Sequence, residues 1–306
     1  MAYLDMFKAE KIFPRTWQIT YAFAEFGPKI DPVYCYLLEG DTYALVIDTM
    51  YGYGNLRAFC ETLTDKPMKV VNTHFHGDHI AGNYHFDVAY IHWRDLPYYY
   101  GKNFSLPGGG GFPKTQQEIY ERAKFVAKPE YVDKLRLEDF KEATPIELYT
   151  IEDGDIFDLG DRQIEVIWVG GHSPGCIALL DRKNRCAYTG DCCNGNTILG
   201  IGNSLPIEEY LENLLHFYEF RSEFDITYGG HQVIPACVVE EGIELCARIL
   251  AGTDDKEERQ TRHGVSTYGA AREPGGYRRA DGKHFNISYV PGKLLKEEKK
   301  PQIIKN

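Results

Sequence analysis

One heptapeptide constrains this chain more than any other feature: residues 73–79, which read THFHGDH. His74, His76, Asp78 and His79 place three imidazoles and one carboxylate within six residues. Imidazole nitrogen and carboxylate oxygen suit Zn²⁺, Fe or Mn, and burying so many ring nitrogens without partners would be costly. The segment therefore predicts a metal site, and a polar loop that is rich in histidine by chance is a poor explanation.

Short apolar runs and amphipathic segments alternate around this heptapeptide. Residues 33–38 and 44–47 are β-branched and aromatic runs on either side of a turn, and residues 68–71 are an apolar run typical of a buried strand. Residues 55–63 place their apolar side chains on one helical face. Further strands are predicted at 164–169, 177–180, 186–189 and 226–228, and further helices at 204–222 and 236–251. This alternation predicts an α/β fold in which helices cover sheets.

Residues 94–145 have a different texture, with prolines and tyrosines followed by a glycine run at 108–111. Thr115 and Glu118 then have the spacing of a capping box, which marks the beginning of a helix. We interpret residues 94–145 as a helical insertion hinged by the glycines. Because the insertion follows the heptapeptide closely, it is expected to form a lid or wall over the site.

The insertion is expected to belong to one domain, residues 1–252. Residues 253–306 are polar and rich in glycine and arginine, which predicts a C-terminal extension that packs on the domain or on a partner subunit. Arg272, Arg278 and Arg279 of this extension could bind an anionic group of a substrate, although a solvated surface is their expected role.

The charge of the chain argues against several partners. Lys and Arg number 34 and Asp and Glu number 45, a net charge of −11, whereas nucleic acids and anionic membranes select clustered cations. No stretch approaches the roughly 18 apolar residues of a membrane span, and the charged N-terminus lacks the apolar core of a secretory signal. We therefore expect a cytoplasmic protein that binds neither nucleic acid nor membrane, with its eight cysteines as free thiols.

Three more potential metal ligands lie beside glycines at predicted strand ends. They are His172 in GGHSPG, Asp191 in TGD and His231 in GGH. Loops at strand ends can turn tightly at glycine and bring distant side chains together. With the heptapeptide they give five histidines and two aspartates for one site.

These four motifs, in this order and over roughly residues 15–250, resemble those of the metallo-β-lactamase superfamily. The resemblance implies a four-layer αββα sandwich with metal ions at one edge, between two sheets. It implies two metal sites: His74, His76 and His172 for the first, Asp78, His79 and His231 for the second, and Asp191 as the bridge. Asp78 is also the expected catalytic residue, since it would orient the attacking hydroxide. Because the best-known β-lactamases have Cys where this chain has Asp191, the chain is more similar to the bridging-aspartate hydrolases.

Two metal ions can share a hydroxide and lower its pKa toward about 7, which gives a nucleophile at neutral pH. We therefore expect a hydrolase with two Zn²⁺, or with Fe or Mn, that acts on a small-molecule ester, lactone, thioester or amide. The sequence has no Gly-x-Ser-x-Gly nucleophile elbow. Three alternatives stay open: a mononuclear iron oxidoreductase similar to the persulfide dioxygenases, a β-lactamase, and a phosphodiesterase. A metal-binding scaffold without catalysis is disfavoured by the complete ligand set.

Tyrosines of the insertion are candidates for substrate contact. Tyr98, Tyr99 and Tyr100 offer rings with polar tips, but they could equally form a homodimer contact or the core of the insertion. Cys192 and Cys193 follow Asp191 directly, and we expect them to be small buried residues because the proposed ligand set is complete without thiolates.

Overall fold

The computed structural model describes residues 3–27, 29–99, 115–200, 202–260, 265–274 and 278–296. Within these ranges the strands are β1 Phe7–Phe13, β2 Thr16–Tyr21, β3 Cys35–Glu39, β4 Ala44–Ile47, β5 Met68–Asn72, β6 Val88–His92, β7 Glu147–Ile151, β8 Ile156–Asp158, β9 Gln163–Trp168, β10 Ile177–Asp181, β11 Cys186–Gly190, β12 Thr197–Ile198, β13 Ile226–Gly229, β14 Val233–Pro235, β15 Glu257–Gln260, β16 Ser266–Gly269 and β17 Ile287–Ser288. The α-helices are α1 Leu56–Cys60, α2 Gly77–Ile80, α3 Leu96–Tyr99, α4 Gln116–Val126, α5 Pro129–Val132, α6 Ile207–Tyr218 and α7 Val238–Leu250. Short 3-10 turns lie at Tyr3–Met6, Asn83–His85, Leu137–Asp139, Arg221–Glu223 and Pro291–Lys293.

Two mixed sheets form the centre of the fold. The first has the order β1-β2-β3-β4-β5-β6-β7, antiparallel from β1 to β4 and parallel from β4 to β7. The second has the order β14-β13-β11-β10-β9-β8, in which only the β11–β13 pair is parallel. Parallel neighbours end at the same edge of a sheet, so the loops after β5, β6 and β7 emerge side by side.

An apolar layer separates the two sheets. Leu38, Leu45 and Val71 of the first sheet share one buried cluster with Leu179 and Tyr188 of the second. Each of these side chains is fully buried. Burying strands on both faces requires continuous apolar runs, which explains why β4, β10 and β11 are buried along their whole length.

Helices cover the outer face of each sheet. Phe59 of α1 and Ile119 of α4 belong to the core on the first sheet. Tyr210 of α6 and Leu245 of α7 belong to the core on the second sheet. The layers therefore run helix, sheet, sheet, helix, which confirms the predicted αββα sandwich.

Local signals set several helix boundaries. Asn55 caps α1 through its side-chain oxygen, and Thr115 and Glu118 form the predicted capping box at the beginning of α4. The prediction of one helix over residues 204–222 was too long. α6 begins only after Pro206 and ends at Tyr218, because the following residues tighten into a 3-10 turn. The glycine run at 108–111 lies outside the described residues.

The C-terminal extension contributes strands and core residues to the domain. β17 pairs in parallel with β12, and Phe285 and Tyr289 lie in the buried core on the second sheet. The expectation of a solvated surface is wrong for Arg279, which is only 1% exposed. Its guanidinium donates to the carbonyl of Phe285 and pairs with Asp281, partners that a buried cation requires.

The longest helix in the described ranges, α7, has 13 residues. No helix in those ranges combines the length and the apolar character needed to span a bilayer.

Candidate metal centre

The seven predicted ligands come together at one edge of the sandwich because each follows the end of a strand. His74 and His76 follow β5, and the first turn of α2 carries the two remaining ligands of the heptapeptide. His172 follows β9, Asp191 follows β11 directly, and His231 follows β13. Segments up to 157 residues apart in sequence thus contribute to one cluster.

The first donor set consists of His74, His76 and His172, whose nearest ring nitrogens all lie within 4.8 Å of one another. His76 Nδ1 and His172 Nε2 are 2.8 Å apart. Burial lowers the pKa of His74 and His172, and lowers that of His76 to about 3. These imidazoles are therefore neutral, the form in which histidine binds a cation.

The second donor set consists of Asp78, His79 and His231, again with ligand atoms within 4.8 Å of one another. Asp191 lies between the two sets. Its Oδ2 is 3.5 Å from His172 Nε2, 3.4 Å from His231 Nε2 and 3.8 Å from His79 Nε2. One carboxylate therefore faces both donor sets, as a bridging ligand must.

Carboxylates and imidazoles lie close together at the second donor set and shift one another's pKa values. Burial alone would raise the pKa of Asp78 and Asp191, but the neighbouring His79 and His231 hold both below the ordinary value. Burial alone would likewise lower the pKa of His79, whereas the surrounding carboxylates raise it to about 9. The two carboxylates thus stabilise positive charge at this end of the cluster.

Three buried polar atoms of the cluster have no hydrogen-bond partner among the described residues: His74 Nε2, His79 Nε2 and Asp191 Oδ1. Buried polar atoms are almost always satisfied, so atoms without a partner at one site require an explanation. A cation satisfies all three, and the donors are the nitrogen and oxygen types that Zn²⁺ accepts. The residues present therefore fit a metal centre.

Supporting hydrogen bonds fix the imidazole orientations. His172 Nδ1 donates to the carbonyl of Ile198, 2.9 Å away, and His231 Nδ1 donates to the carbonyl of Pro32. Ile198 belongs to β12, which pairs with β17 of the C-terminal extension. Since the Nδ1 proton is engaged, each Nε2 presents its lone pair to the cluster.

Asp48 is a functional residue that sequence reasoning missed. Its carboxylate accepts from the backbone N–H of Thr73 (2.8 Å), from Thr73 Oγ1 (2.7 Å) and from His79 Nδ1 (2.8 Å). It therefore orients a ligand of the second set and holds the beginning of the heptapeptide. The signal was an acidic residue placed directly after the fully buried strand β4.

Asp95 is a second buried acidic residue that sequence reasoning missed. Its carboxylate accepts from the backbone N–H of Phe75 (3.0 Å), from Ser173 Oγ (2.6 Å) and from the backbone N–H of Gly175 (2.6 Å). Burial raises the pKa of Asp95 to about 7 despite these donors. A Cβ on Gly175 would lie 2.7 Å from the Asp95 carboxyl carbon, which explains the glycine. Asp95 thus joins the loop of His74 and His76 to the loop of His172.

The structure separates the three candidate tyrosines. Tyr98 is half-buried and packs on Phe75, whose ring packs on His76. Tyr99 is only 3% exposed, and its hydroxyl accepts from the Asn83 amide, so it lies in the core beside the site. Tyr100 lies outside the described residues. Of the described pair, Tyr98 is therefore the one whose ring packs toward the cluster, through Phe75.

Cys192 and Cys193 are fully buried, in agreement with their interpretation as small core residues. Burial raises the pKa of both thiols well above the ordinary value, so they remain protonated. Neither belongs to a group of potential metal ligands among the described residues.

Comparison with known sequences gives a consistent picture. A family model described as the metallo-beta-lactamase superfamily matches residues 28–193, more than half of the chain. Acyl-coenzyme A thioesterase MBLAC2 from Bos taurus is 27% identical over 168 residues, which cover 51% of this chain and 56% of that protein. The protein of the same name from Gallus gallus is 25% identical over 200 residues, which cover 62% of this chain and 67% of that protein. The matched region thus spans little more than half the length of the bovine relative.

Solved structures resemble the fold over most of its length. A metallo-beta-lactamase from Pontibacter korlensis superposes with a TM-score of 0.57 at 14% identity, covering 79% of this chain and 99% of that one. The metallo-beta-lactamase FIM-1 from Pseudomonas aeruginosa, in its mono-zinc form, gives a TM-score of 0.52 at 14% identity, covering 79% and 96%. Similarity at this level of identity establishes a common fold alone.

Proposed function

The chain belongs to the metallo-β-lactamase superfamily, and from that premise we propose that it is a hydrolase that uses two divalent metal ions, with Zn²⁺ as the first candidate, to cleave a small-molecule thioester. One observation carries this proposal. The Asp191 carboxylate lies within 3.5 Å of a histidine from each donor set. A carboxylate in that position can serve as a ligand to two ions at once, which supports two ions over one.

In the proposed site, each donor set would hold one ion, and Asp191 would contribute to both. The first set is His74, His76 and His172, and the second is Asp78, His79 and His231. When bound there, two divalent ions supply a nucleophile from water at neutral pH and polarise the attacked carbonyl. Asp78 has the further role of accepting a hydrogen bond from the attacking oxygen and so orienting it.

The protein's own residues make the site rigid before substrate arrives. Asp48 holds the Nδ1 proton of His79, and the carbonyl of Ile198 holds that of His172. Asp95 keeps the two loops of the first set at a fixed separation. Preorganisation of this kind matters because a donor displaced by about 1 Å weakens both metal binding and catalysis.

The leaving group favours a thioester over an ester or amide. All five histidines of the cluster belong to the donor sets, so none of them is left to protonate a leaving group. A thiolate, whose conjugate acid has a pKa of about 8.5, leaves with little such help, whereas an alkoxide or an amine anion does not. The names of the curated relatives, acyl-coenzyme A thioesterases, support the same substrate class.

The test is hydrolysis by metal-loaded protein of a matched series of substrates: one acyl group carried as a thioester, an oxygen ester and an amide. Thiol release is measured with a thiol-reactive dye, and metal content is measured on the same samples. We expect about two Zn²⁺ per chain and the largest kcat/KM for the thioester. Asp191→Asn should lower metal content and activity together, whereas Asp87→Asn, at an exposed surface pair, should change neither.

Two results would overturn the proposal. Full thioester hydrolysis by chelator-treated protein would remove the role of metal. One iron per chain with no hydrolysis of any of the three substrates would favour the mononuclear iron oxidoreductase instead.

A further inference from the structure

A cavity of about 340 Å³ lies outside the donor sets. It is lined by Trp93, Thr150, Ile151, Glu152 and Asp155. Trp93 follows β6, and the other residues lie at the end of β7 or just after it. The cavity is therefore on the same edge of the first sheet as the heptapeptide.

The register and spacing of the strands give the distance between this cavity and the metal centre. β5, β6 and β7 are parallel neighbours, with Asn72 opposite Ile91 and His92 opposite Ile151. The three strands end at the same level, so the end of β7 lies two interstrand spacings, or about 10 Å, from the end of β5. A substrate attacked at the metal centre reaches this cavity only with a part remote from the reacting bond.

A stack of flat side chains connects the cavity to the site. The Arg94 guanidinium carbon lies 4.9 Å from the centre of the Trp93 ring and 4.3 Å from that of Trp168. Trp168 Nε1 donates to the carbonyl of Pro174, two residues after His172. Trp93 is nevertheless 50% exposed. Arg94 therefore holds one part of the ring in place, while another part is accessible to solvent.

The charged side chains of the cavity indicate which kind of ligand it can bind. Glu152 and Asp155 are exposed carboxylates, and Asp155 Oδ2 accepts from the backbone N–H of Glu152. Carboxylates repel phosphate but accept hydrogen bonds from ring amino groups. Arg94 pairs with no carboxylate among the described residues, which leaves its N–H groups for an anion next to the ring.

We propose that this cavity binds a purine-like ring bearing an amino group, at the end of the substrate remote from its thioester. The ring stacks on Trp93, its amino group donates to Glu152 or Asp155, and Arg94 faces the phosphates attached to it. The assignment to substrate rests on the proposed thioesterase function. Coenzyme A has this chemistry, because an adenine nucleotide forms the end of the molecule opposite its thiol.

Calorimetric titration of the metal-loaded full chain tests ring recognition without catalysis. Adenosine is the probe, and ribose 5-phosphate is the matched probe without the ring. We expect adenosine to bind, Trp93→Ala to weaken it at least about tenfold, and Glu152→Gln to weaken it severalfold. Phe125→Ala, which removes an exposed aromatic ring on α4, is the control and should change nothing. Undetectable adenosine binding, equal binding by Trp93→Ala, or equally tight ribose 5-phosphate would overturn the inference.

Kinetics separate this inference from the proposed function. The same acyl group is offered as the coenzyme A thioester and as a short thioester without the nucleotide. We expect a kcat/KM ratio in favour of the coenzyme A thioester, and we expect that ratio to fall about tenfold in Trp93→Ala. A ratio near one in the wild type would overturn the inference. Hydrolysis of neither thioester, together with adenosine binding through Trp93, would overturn the proposed function and support ring recognition.

Discussion

Replacing Asp95 with alanine should loosen both loops that carry the first donor set. The carboxylate accepts three hydrogen bonds, from Phe75 N–H, Ser173 Oγ and Gly175 N–H. The side chain is completely buried, so water cannot replace the lost acceptor. The substitution therefore removes the shared acceptor of three donors between the loop of His74 and His76 and the loop of His172. The Ser173 hydroxyl keeps Cys176 Sγ, 3.3 Å away, as an acceptor, so the loss falls mainly on the two backbone N–H groups.

The magnitude follows from that count. A buried donor that loses its acceptor costs about 1–3 kcal/mol, so the loss at two backbone N–H groups should lower the free energy of unfolding by about 2 kcal/mol or more. Loss of a residue that supports metal ligands typically weakens metal binding by about 10- to 100-fold. Asp95→Asn retains one accepting oxygen, and its effect on both quantities should be smaller.

Two measurements on the same preparations check this expectation. Urea denaturation of metal-free protein gives the free energy of unfolding, and competition with a chelator gives Zn²⁺ affinity. Asp87→Asn is the matched control, because the Asp87 side chain is 85% exposed and pairs with Arg57 at the surface. A folded Asp95→Ala protein whose unfolding free energy and Zn²⁺ affinity match those of the control would refute the role assigned to this residue.

Three further outcomes are expected. Asp191→Ala should lower bound metal by more than one equivalent, since the carboxylate faces both donor sets; elemental analysis measures this. The folded pKa of Asp95, about 7, exceeds its ordinary value of 3.8, so its stabilising effect is complete below about pH 4 and is lost as the pH rises through 7. In metal-free protein, the unfolding free energy of wild type relative to Asp95→Asn should therefore fall by up to about 4 kcal/mol between pH 4 and 8, as measured by denaturation at each pH. Arg162→Met should cost about 3–5 kcal/mol in urea denaturation, because it leaves the buried Asp181 without its cation, whereas Arg185→Met at a surface pair should cost under about 1 kcal/mol.

The residues of the candidate metal centre could be predicted because each carries a local signature. His172, Asp191 and His231 stand beside glycines after apolar runs, and their residue types are unusual at strand ends. Asp48 follows an apolar run but has no glycine beside it, and Asp95 has no glycine beside it either. Their partners lie 20 to 80 residues away in the chain, so their roles arise only from folding.

The sequence also could not predict the direction of each side chain among adjacent tyrosines. Tyr98 and Tyr99 are adjacent and chemically identical, yet one packs toward the site and the other lies in the core. Arg279 was expected at a solvated surface because the composition of the extension shows its charge but not the groups that pair with it. Its partner Glu244 lies on α7, 35 residues away, and becomes a neighbour only when the extension packs on that helix.

The pairing of β12 with β17 has a consequence for the order of events during synthesis. All seven proposed ligands have been translated by residue 231, but the strand that holds the Ile198 carbonyl against His172 includes Ile287. A nascent chain interrupted between these points carries every ligand and lacks the strand that orients one of them. For the proposed metal site, tight metal retention should therefore require synthesis to continue past residue 288.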